Sequence, residues 1–455
     1  MATEMATTPS HAIPYLSEPP LVGSISAFRH DRLGLSLRLA ALGEVGGMHF
    51  AIFPMVQFNR PEYVHTILLE HANDVHKGRF NTVLRPFLGN GLLLSEGEFW
   101  RSQRKRMAPA FQPRQVSTYA ESMVREAERL QQTWADGATI DLRQQMTALT
   151  MSIIGKILFD AEVFTEAEGL GAAITTILTN TSAVLSHLVQ PPLSWPTPRN
   201  RQTRQAIATL RTRMQQMIEE RRAAPGERHD FLSLLIQARD EEGRAMSEEQ
   251  VIDECLTLFL AGHETTAVLL AWAWYLLCEH PAAYDQVQAE VEQALQGRAP
   301  SVADLANLPY CLQVIKETLR LYPPASMIIR EAARDVEIAG YRVRKGTVLL
   351  VSPYVMHRLS AYFPDPERFD PERFTPEREQ QLPRYAYLPF GAGPRSCIGT
   401  HLALMEAQLV LASLAGRARF TLVPGQTILP DAMSGLTLRP GTPVQVVVQQ
   451  RLIAE

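Results

Sequence analysis

The stretch F-G-A-G-P-R-S-C-I-G, residues 390–399, predicts the fold more strongly than any other part of the sequence. Its glycines and Pro394 indicate a tight turn whose backbone can approach a flat cofactor. Cys397 lies just before a predicted helix with apolar residues at helical spacing. A thiolate there faces unpaired N–H groups, which lower its pKa. The loop therefore predicts a thiolate metal ligand, and the alternative is a buried structural cysteine in a glycine-rich turn.

The same residues fill every fixed position of the pattern F-x-x-G-x-R-x-C-x-G. In this they resemble the cysteine loop of the cytochrome P450 family, the haem-thiolate monooxygenases. The resemblance implies haem b as the cofactor, with Cys397 as the iron ligand and Arg395 as a partner of a haem propionate. It also implies a mainly α fold with small β-sheets, in a single triangular domain that encloses the haem.

Composition narrows the class of protein. A chain of 455 residues, of which 46% are apolar, can bury a large core and enclose a cofactor. A formal net charge of −4 gives no general attraction to nucleic acid or to anionic membranes, so we expect no nucleic-acid partner. The four cysteines include no C-x-x-C pair, which argues against disulfides or zinc and predicts a reducing, cytoplasmic location.

The longest apolar run, residues 255–278, has the length of a membrane span. Its middle contains Glu264, and a carboxylate at the centre of a bilayer costs about 2.5 kcal/mol or more. We therefore predict a buried core helix, and the polar start of the chain predicts no membrane anchor. Ser247 to Gln250 form a capping-box sequence and His280-Pro281 a stop, so the helix is expected over 247–279.

Within this helix, residues 261–266 read A-G-H-E-T-T and resemble the family's oxygen-activation motif. The resemblance implies Glu264 and Thr265 as the catalytic proton relay and Ala261 as a substrate contact. Gly262 and a bond from the Thr265 hydroxyl to a preceding carbonyl are expected to bend the helix and open a groove. A zinc motif H-E-x-x-H is excluded because its second histidine would be Ala267, and a satisfied polar patch remains the alternative.

Other charged residues predict support for the loop and for the haem. Glu317 and Arg320 match the family's E-x-x-R motif, and Arg373 lies in the P-E-R-F segment that supplies a second arginine. The resemblance implies that this buried network holds the segment before Cys397. Trp and Arg side chains also suit carboxylates. Trp100 and Arg104 resemble the family's W-x-x-x-R helix, and Arg330 resembles the arginine at the start of the strand beside the haem. The resemblance implies that these three residues, like Arg395, bind the haem propionates.

The rest of the chain predicts one continuous domain. Residues 1–20 are expected to be a flexible lead-in and residues 21–455 the haem-thiolate monooxygenase domain, since no linker separates two parts. We expect short strands near 49–53 and 56–58, a charged helix over 201–220, a strand cluster over 328–351 and an ordered loop over 361–390.

The resemblance also bears on the substrate and on the electron donor. The resemblance places substrate contacts at residues 80–94 and 172–188, on the central helix near Leu258 and Ala261, and at residues 325–328, which include Met327. These regions are mostly apolar, which predicts a lipophilic substrate such as a fatty acid, terpenoid or polyketide. The resemblance implies that this substrate is oxidised with O2. Electrons are expected from a separate ferredoxin or flavodoxin-type donor, which a basic cluster at 101–106 is suited to face; the alternative for this cluster is a solvated basic helix face without a partner protein. The alternatives are a peroxide-driven or isomerising enzyme and a non-catalytic haem sensor.

Overall fold

The computed structural model describes residues 11–19, 22–79, 84–160, 173, 176–177, 180, 192–223, 230–431 and 437–451. Many more of these residues lie in helices than in strands. The helices are α1 Ile25–His30, α2 Arg32–Ala41, α3 Pro61–His65, α4 Arg85–Leu88, α5 Gly97–Met107, α6 Pro113–Ser117, α7 Ala120–Gln131, α8 Leu142–Phe159, α9 Pro198–Ala223, α10 Phe231–Gln237, α11 Glu248–Glu279, α12 Pro281–Leu295, α13 Pro309–Leu321, α14 Pro353–Met356, α15 Pro376–Glu379 and α16 Thr400–Arg417.

The strands of the described residues form small sheets. They are β1 Val45–Phe50, β2 Phe53–Phe58, β3 Val75–His76, β4 Thr139–Asp141, β5 Ile328–Ala332, β6 Val336–Ile338, β7 Tyr341–Val343, β8 Val348–Val351, β9 Ala418–Leu422 and β10 Gln445–Gln450. One sheet has the order β1-β2-β8-β5-β3, a second has β4-β10-β9, and β6 pairs with β7. The contact of β2 with β8 is parallel, with Met55 opposite Val348. The predicted mainly α fold with small β-sheets is therefore confirmed.

The chain divides into two compact units that alternate along the sequence. Unit 1 comprises Met1–Thr82, Ala325–Arg368 and Glu377–Cys397. Unit 2 comprises Val83–Pro324, Phe369–Pro376 and Ile398–Glu455. Unit 1 holds the five-stranded sheet and the β6-β7 pair, and unit 2 holds most of the helices. The assignment of residues 21–455 to one domain stays a prediction, and of the expected lead-in only 11–19 are described.

The central helix, α11, begins and ends where its capping residues predicted. Ser247 Oγ accepts a hydrogen bond from the Gln250 amide, and the Gln250 side chain accepts one from the Ser247 amide, so the capping box is complete. The helix ends at Glu279, before Pro281 takes the first position of α12. Of the described helices this one has the length and apolarity of a membrane span, but 72% of its most apolar window is buried.

Three other expectations were partly right. The charged helix exists and is longer than expected, Pro198–Ala223. The cluster over 328–351 forms four strands, but β5 and β8 join β1 and β2 in one sheet while β6 and β7 pair separately. The expected loop over 361–390 contains a 3-10 turn at Pro371–Phe374 and the short helix α15. Proline at the start of each predisposes the backbone to a helical turn, which the loop prediction neglected.

Candidate functional site

The cysteine loop, residues 390–399, contains a closed turn, and its residues as far as Cys397 belong to unit 1. The Cys397 amide donates to the Phe390 carbonyl at 2.9 Å, and a 3-10 turn spans Gly393–Arg395. Gly391 and Gly393 both have a φ of 71°, which glycine adopts without strain. A Cβ on Gly393 would lie 2.1 Å from the Leu68 carbonyl oxygen, so only glycine fits there. The glycines therefore allow the tight path that the sequence predicted.

Cys397 differs from the other three cysteines in its accessibility. It is exposed, whereas Cys255 and Cys311 are buried and Cys278 is half-buried. Burial raises the pKa of the Cys278 thiol to about 12 and also raises that of the Cys255 and Cys311 thiols, so these three stay protonated. Cys397 is thus the cysteine suited to binding a metal.

The residues expected to bind propionates lie in both units. In unit 2, Trp100 is buried on α5 and the Arg104 guanidinium carbon lies 6.0 Å from the centre of its ring, one turn away. In unit 1, Arg330 is half-buried on β5, where its Nη1 donates to the Ile329 carbonyl at 2.8 Å. Arg395 is half-buried in the cysteine loop. Met327, the expected substrate contact, lies just before β5 and is also half-buried.

The motif of the central helix forms an accessible face on a helix that is otherwise largely buried. Ala261 is exposed, although residues 251–260 before it and 266–274 after it are all buried. Thr265, one turn later, is half-buried, and its Oγ1 donates to the Ala261 carbonyl at 2.8 Å, as predicted. The face formed by Ala261 and Thr265 is therefore open to a ligand.

Gly262 has a packing role that the sequence did not indicate. The helix is continuous from Glu248 to Glu279, with no break at the motif. A Cβ on Gly262 would lie 2.8 Å from Cδ1 of Ile154 on α8. Gly262 therefore lets α8 approach the central helix closely. Thr150 on α8 also donates to the His263 carbonyl at 2.9 Å, which ties the two helices together at the motif.

Glu264 has a partner that the sequence did not indicate. Thr437 Oγ1 donates to Glu264 Oε1 at 2.8 Å. Burial raises the pKa of Glu264, while the Thr437 bond and the charge of Arg439 oppose that rise. A carboxyl group with a raised pKa is easier to protonate near neutral pH, as a proton relay requires. The two oxygens of the candidate relay, on Glu264 and Thr265, thus have defined hydrogen bonds.

The predicted buried ion-pair network is present in unit 2. Arg320 donates from Nε to Glu317 Oε2 at 2.7 Å and from Nη2 to Oε1 at 2.8 Å, and both side chains are fully buried. The Asp370 amide donates to the same Oε1 at 2.9 Å, and Arg373 Nε lies 3.5 Å from it. Glu317 therefore joins α13 to the Pro371–Phe374 turn.

Two neighbouring acidic residues of the central helix, which the sequence analysis did not single out, bind backbone amides in the segment of residues 89–95. Asp253 accepts a hydrogen bond from the Asn90 amide at 2.7 Å and from Arg211 at 2.5 Å. Glu254 accepts one from the Leu92 amide at 2.8 Å. This segment belongs to one of the regions expected to contact substrate. Residues 80–83 of that region, and most of 172–188, lie outside the described residues.

Comparison with known proteins identifies the family. The model of the family described as Cytochrome P450 matches residues 17–448. Cyclooctatin synthase of Streptomyces melanosporofaciens is 36% identical over 426 residues, which cover 92% of each chain. The chain belongs to the cytochrome P450 family. Cyclooctat-9-en-7-ol 5-monooxygenase of the same organism is 36% identical over 415 residues, 90% of this P450 and 89% of the relative. The crystal structure of the cytochrome P450DA heme domain superposes with a TM-score of 0.89 at 26% identity, covering 98% of this chain and 99% of that one.

This P450 is accordingly an oxidoreductase, a monooxygenase that binds haem b. Its residues fit that cofactor. Within the described part of the chain, no group of three or more His, Cys, Asp or Glu side chains is placed to hold a metal ion. The exposed Cys397 offers a single thiolate, which suits a metal that brings its other ligands with it, as the iron of a porphyrin does.

The basic cluster of this P450 is largely neutralised by carboxylates in its own unit. Arg101 pairs with Glu98, Lys105 with Glu241, and Arg106 with Asp240. The Arg106 and Asp240 side chains are buried, so that pair is structural. Arg101 and Lys105 remain exposed despite their partners and are the members of the cluster that a donor protein can reach.

Proposed function

We propose that this P450 inserts one oxygen atom from O2 into a lipophilic substrate, with Glu264 and Thr265 relaying the protons that the reaction consumes. The accessible face at Ala261 and Thr265, on a helix buried before and after it, is the observation that carries the proposal. Packing of the helix core does not explain an exposed Ala261 and a half-buried Thr265 beside a glutamate whose pKa is raised by burial.

Each of the proposed cofactor-binding residues has a distinct role. The Cys397 thiolate ligates the iron, and Arg104, Arg330, Arg395 and Trp100 donate hydrogen bonds to the propionates. Charge-assisted bonds of this kind contribute about 1.5–3 kcal/mol each. Haem b, when bound, supplies the iron at which O2 is activated, and thiolate ligation favours cleavage of the O–O bond.

The proposed relay depends on the order of its two groups. Glu264 takes up protons because burial raises its pKa and so favours the protonated carboxyl group. While the Thr265 hydroxyl donates its one proton to the Ala261 carbonyl, its lone pairs can accept a hydrogen bond from a proton-bearing group, and it passes a proton on when it turns away from that carbonyl. Ala261, with its small side chain on the same face, leaves room for the substrate, and we place Met327 among the substrate contacts.

The substrate is proposed to be lipophilic because the candidate contacts are apolar. Of the three substrate classes predicted from the sequence we favour terpenoids, since one of the two relatives described above is named cyclooctat-9-en-7-ol 5-monooxygenase. We propose a cytoplasmic enzyme without a membrane anchor that receives electrons from a ferredoxin or flavodoxin. Lys105→Glu, which reverses an exposed charge, is expected to slow reduction by such an acidic donor and to weaken the dependence of the rate on salt.

Reduction followed by turnover tests the proposal. Haem-loaded protein is mixed with a reduced surrogate ferredoxin, O2 and cyclooctat-9-en-7-ol, and haem reduction and product are followed in time. The proposal expects reduction and an oxygenated product that incorporates label from ¹⁸O2. Reduction without any product would favour a haem sensor. Product formed only with added peroxide would favour the peroxide-driven alternative.

A further inference from the structure

The segment of residues 437–439 is fixed against the central helix within unit 2. Trp272 Nε1, on that helix, donates to the Leu438 carbonyl at 2.7 Å, and the Leu438 amide donates to the Pro324 carbonyl at 2.9 Å. Trp272 is itself fully buried and stacks on Tyr322, with ring centres 3.8 Å apart. The backbone on the C-terminal side of Thr437 is therefore held from two directions, and Thr437 meets Glu264 from a fixed position.

We propose that Thr437 is a positioning residue that holds the Glu264 carboxyl group in the orientation from which it relays protons. This rests on the proposed function, in which Glu264 is part of the relay. Thr437 acts through Glu264, by the 2.8 Å hydrogen bond from its hydroxyl to Oε1. Its buried side chain has little freedom to turn elsewhere, so the bond restricts the carboxyl group as well.

The chemistry of the partner suits a group that changes its protonation state. A hydroxyl donates to an ionised carboxylate and can accept from a protonated carboxylic acid, so Thr437 can keep its bond to Glu264 in both states. A lysine or arginine in the same place would only donate and would stabilise the ionised form alone. Arg439, the nearby cation, is engaged with Asp431 at 3.1 Å. The direct contact with Glu264 thus comes from a neutral group.

A purely structural role for Thr437 makes different predictions. If the hydroxyl only satisfied a buried carboxyl group, its loss would lower stability and haem content together. Substrate binding and the use of electrons by the remaining loaded enzyme would then be unchanged. A positioning role predicts the reverse pattern, because the carboxyl group stays in place but spends less time in the productive orientation.

The test compares Thr437→Val, which keeps the side-chain shape, with Thr437→Ser, which keeps the hydroxyl. Thr147→Val is the matched control, since Thr147 is a half-buried threonine whose hydroxyl donates at 2.8 Å to a backbone carbonyl, that of Arg143. Full-length, haem-loaded proteins are supplied with NADPH, a ferredoxin and its reductase, with cyclooctat-9-en-7-ol as the probe. Product and hydrogen peroxide formed per NADPH, the spectral Kd of the probe and haem content are measured.

Thr437→Val is expected to lower product per NADPH by about 2- to 12-fold, the effect of one ordinary hydrogen bond on an orientation equilibrium. Peroxide should rise correspondingly, while Kd and haem content stay as in the wild type. Thr437→Ser should restore coupling, and Thr147→Val should not change it. If Thr437→Val and Thr437→Ser both lose haem to the same extent with coupling unchanged, the role is structural and the inference is wrong.

Glu264→Gln separates failure of this inference from failure of the proposed function. If Glu264→Gln uncouples the enzyme and Thr437→Val does not, the relay stands and the positioning role of Thr437 is refuted. If Glu264→Gln remains fully coupled, the relay itself is refuted, and the role of Thr437 falls with it.

Discussion

Removal of the Glu317 carboxylate breaks the buried ion-pair network of unit 2. Glu317→Ala leaves Arg320, which is fully buried, without the two hydrogen bonds at 2.7 and 2.8 Å that neutralise it. It also removes the acceptor of the Asp370 amide. Breaking a buried ion pair by deleting one partner costs about 3–5 kcal/mol, because the remaining charge stays buried.

The expected shift in melting temperature follows from the size of unit 2, which has about 300 residues. At an unfolding entropy of about 2.1 cal/mol/K per residue, this loss lowers the Tm of the unit by about 5–8 °C. A cost of this size is comparable to much of the stability of a domain, so haem content should fall too. Circular dichroism during heating and the haem absorbance of purified protein measure both quantities.

A surface glutamate of the same unit provides the matched control. Glu292→Ala removes a surface partner of Arg451 at 3.2 Å in the same unit, and such exposed pairs are worth about 0–1 kcal/mol. Its Tm should stay within about 2 °C of the wild type. Glu317→Gln, which keeps the shape of the side chain, provides soluble protein if the alanine variant does not fold. A Tm and haem content of Glu317→Ala equal to those of Glu292→Ala would refute the reasoning from burial.

Three further predictions concern single residues. Cys397→His should abolish the thiolate-specific Soret band of the reduced carbon monoxide complex, and a wild-type band at the position of histidine-ligated haem would exclude Cys397 as the ligand. Thr265→Ala should keep haem and substrate affinity but divert electrons to hydrogen peroxide, since proton relays contribute about 10²–10⁴-fold, and full coupling would contradict this. Burial raises the pKa of Glu254 from 4.5 to about 7. Below pH 4.5 Glu254 is protonated in both the folded and the unfolded chain, and its burial costs no ionisation energy. As the pH rises from there through about 7, the unfolded chain ionises first, and the free energy of unfolding falls. Glu254→Gln cannot ionise and should gain Tm relative to the wild type from about pH 5 to pH 8, and parallel Tm curves would show that Glu254 does not titrate in this range.

Features encoded by neighbouring residues were predictable from the sequence. The start of the central helix needs only Ser247 and Gln250, three positions apart, and its end needs only Pro281. The cysteine loop likewise contains its glycines and Cys397 within ten residues. Glu317 and Arg320 are one turn apart on one helix, so their pairing was also a local expectation.

Contacts between distant parts of the chain were not predictable in this way. Thr437 lies 173 positions from Glu264 and belongs to no periodic pattern that would mark it. The basic cluster on α5 was interpreted without Glu241, 136 positions from its partner Lys105. For Gly262 the sequence showed only that a side chain is lacking. Which atoms use that space depends on α8, whose Ile154 fills it.

The pairing of β2 with β8 has a consequence for synthesis of the chain. Met55 and Val348 are opposite each other in this parallel pair and are separated by about 290 residues. At a translation rate of about 5–20 residues per second, β2 waits about 15–60 s for its neighbour to emerge from the ribosome. During this interval the β1–β2 hairpin has an unpaired edge, with Val56 and Phe58, both buried in the folded protein, still in water.

Unit 1 is completed only when Cys397 has been made, since its last segment ends there. Cys397, the proposed iron ligand, is therefore added to the polypeptide together with the final piece of the unit that carries it. Loop closure over such a distance slows folding. The growing chain must keep an incomplete sheet from aggregating for most of the time that its synthesis takes. We expect its yield in cells to depend on chaperones that bind exposed strands.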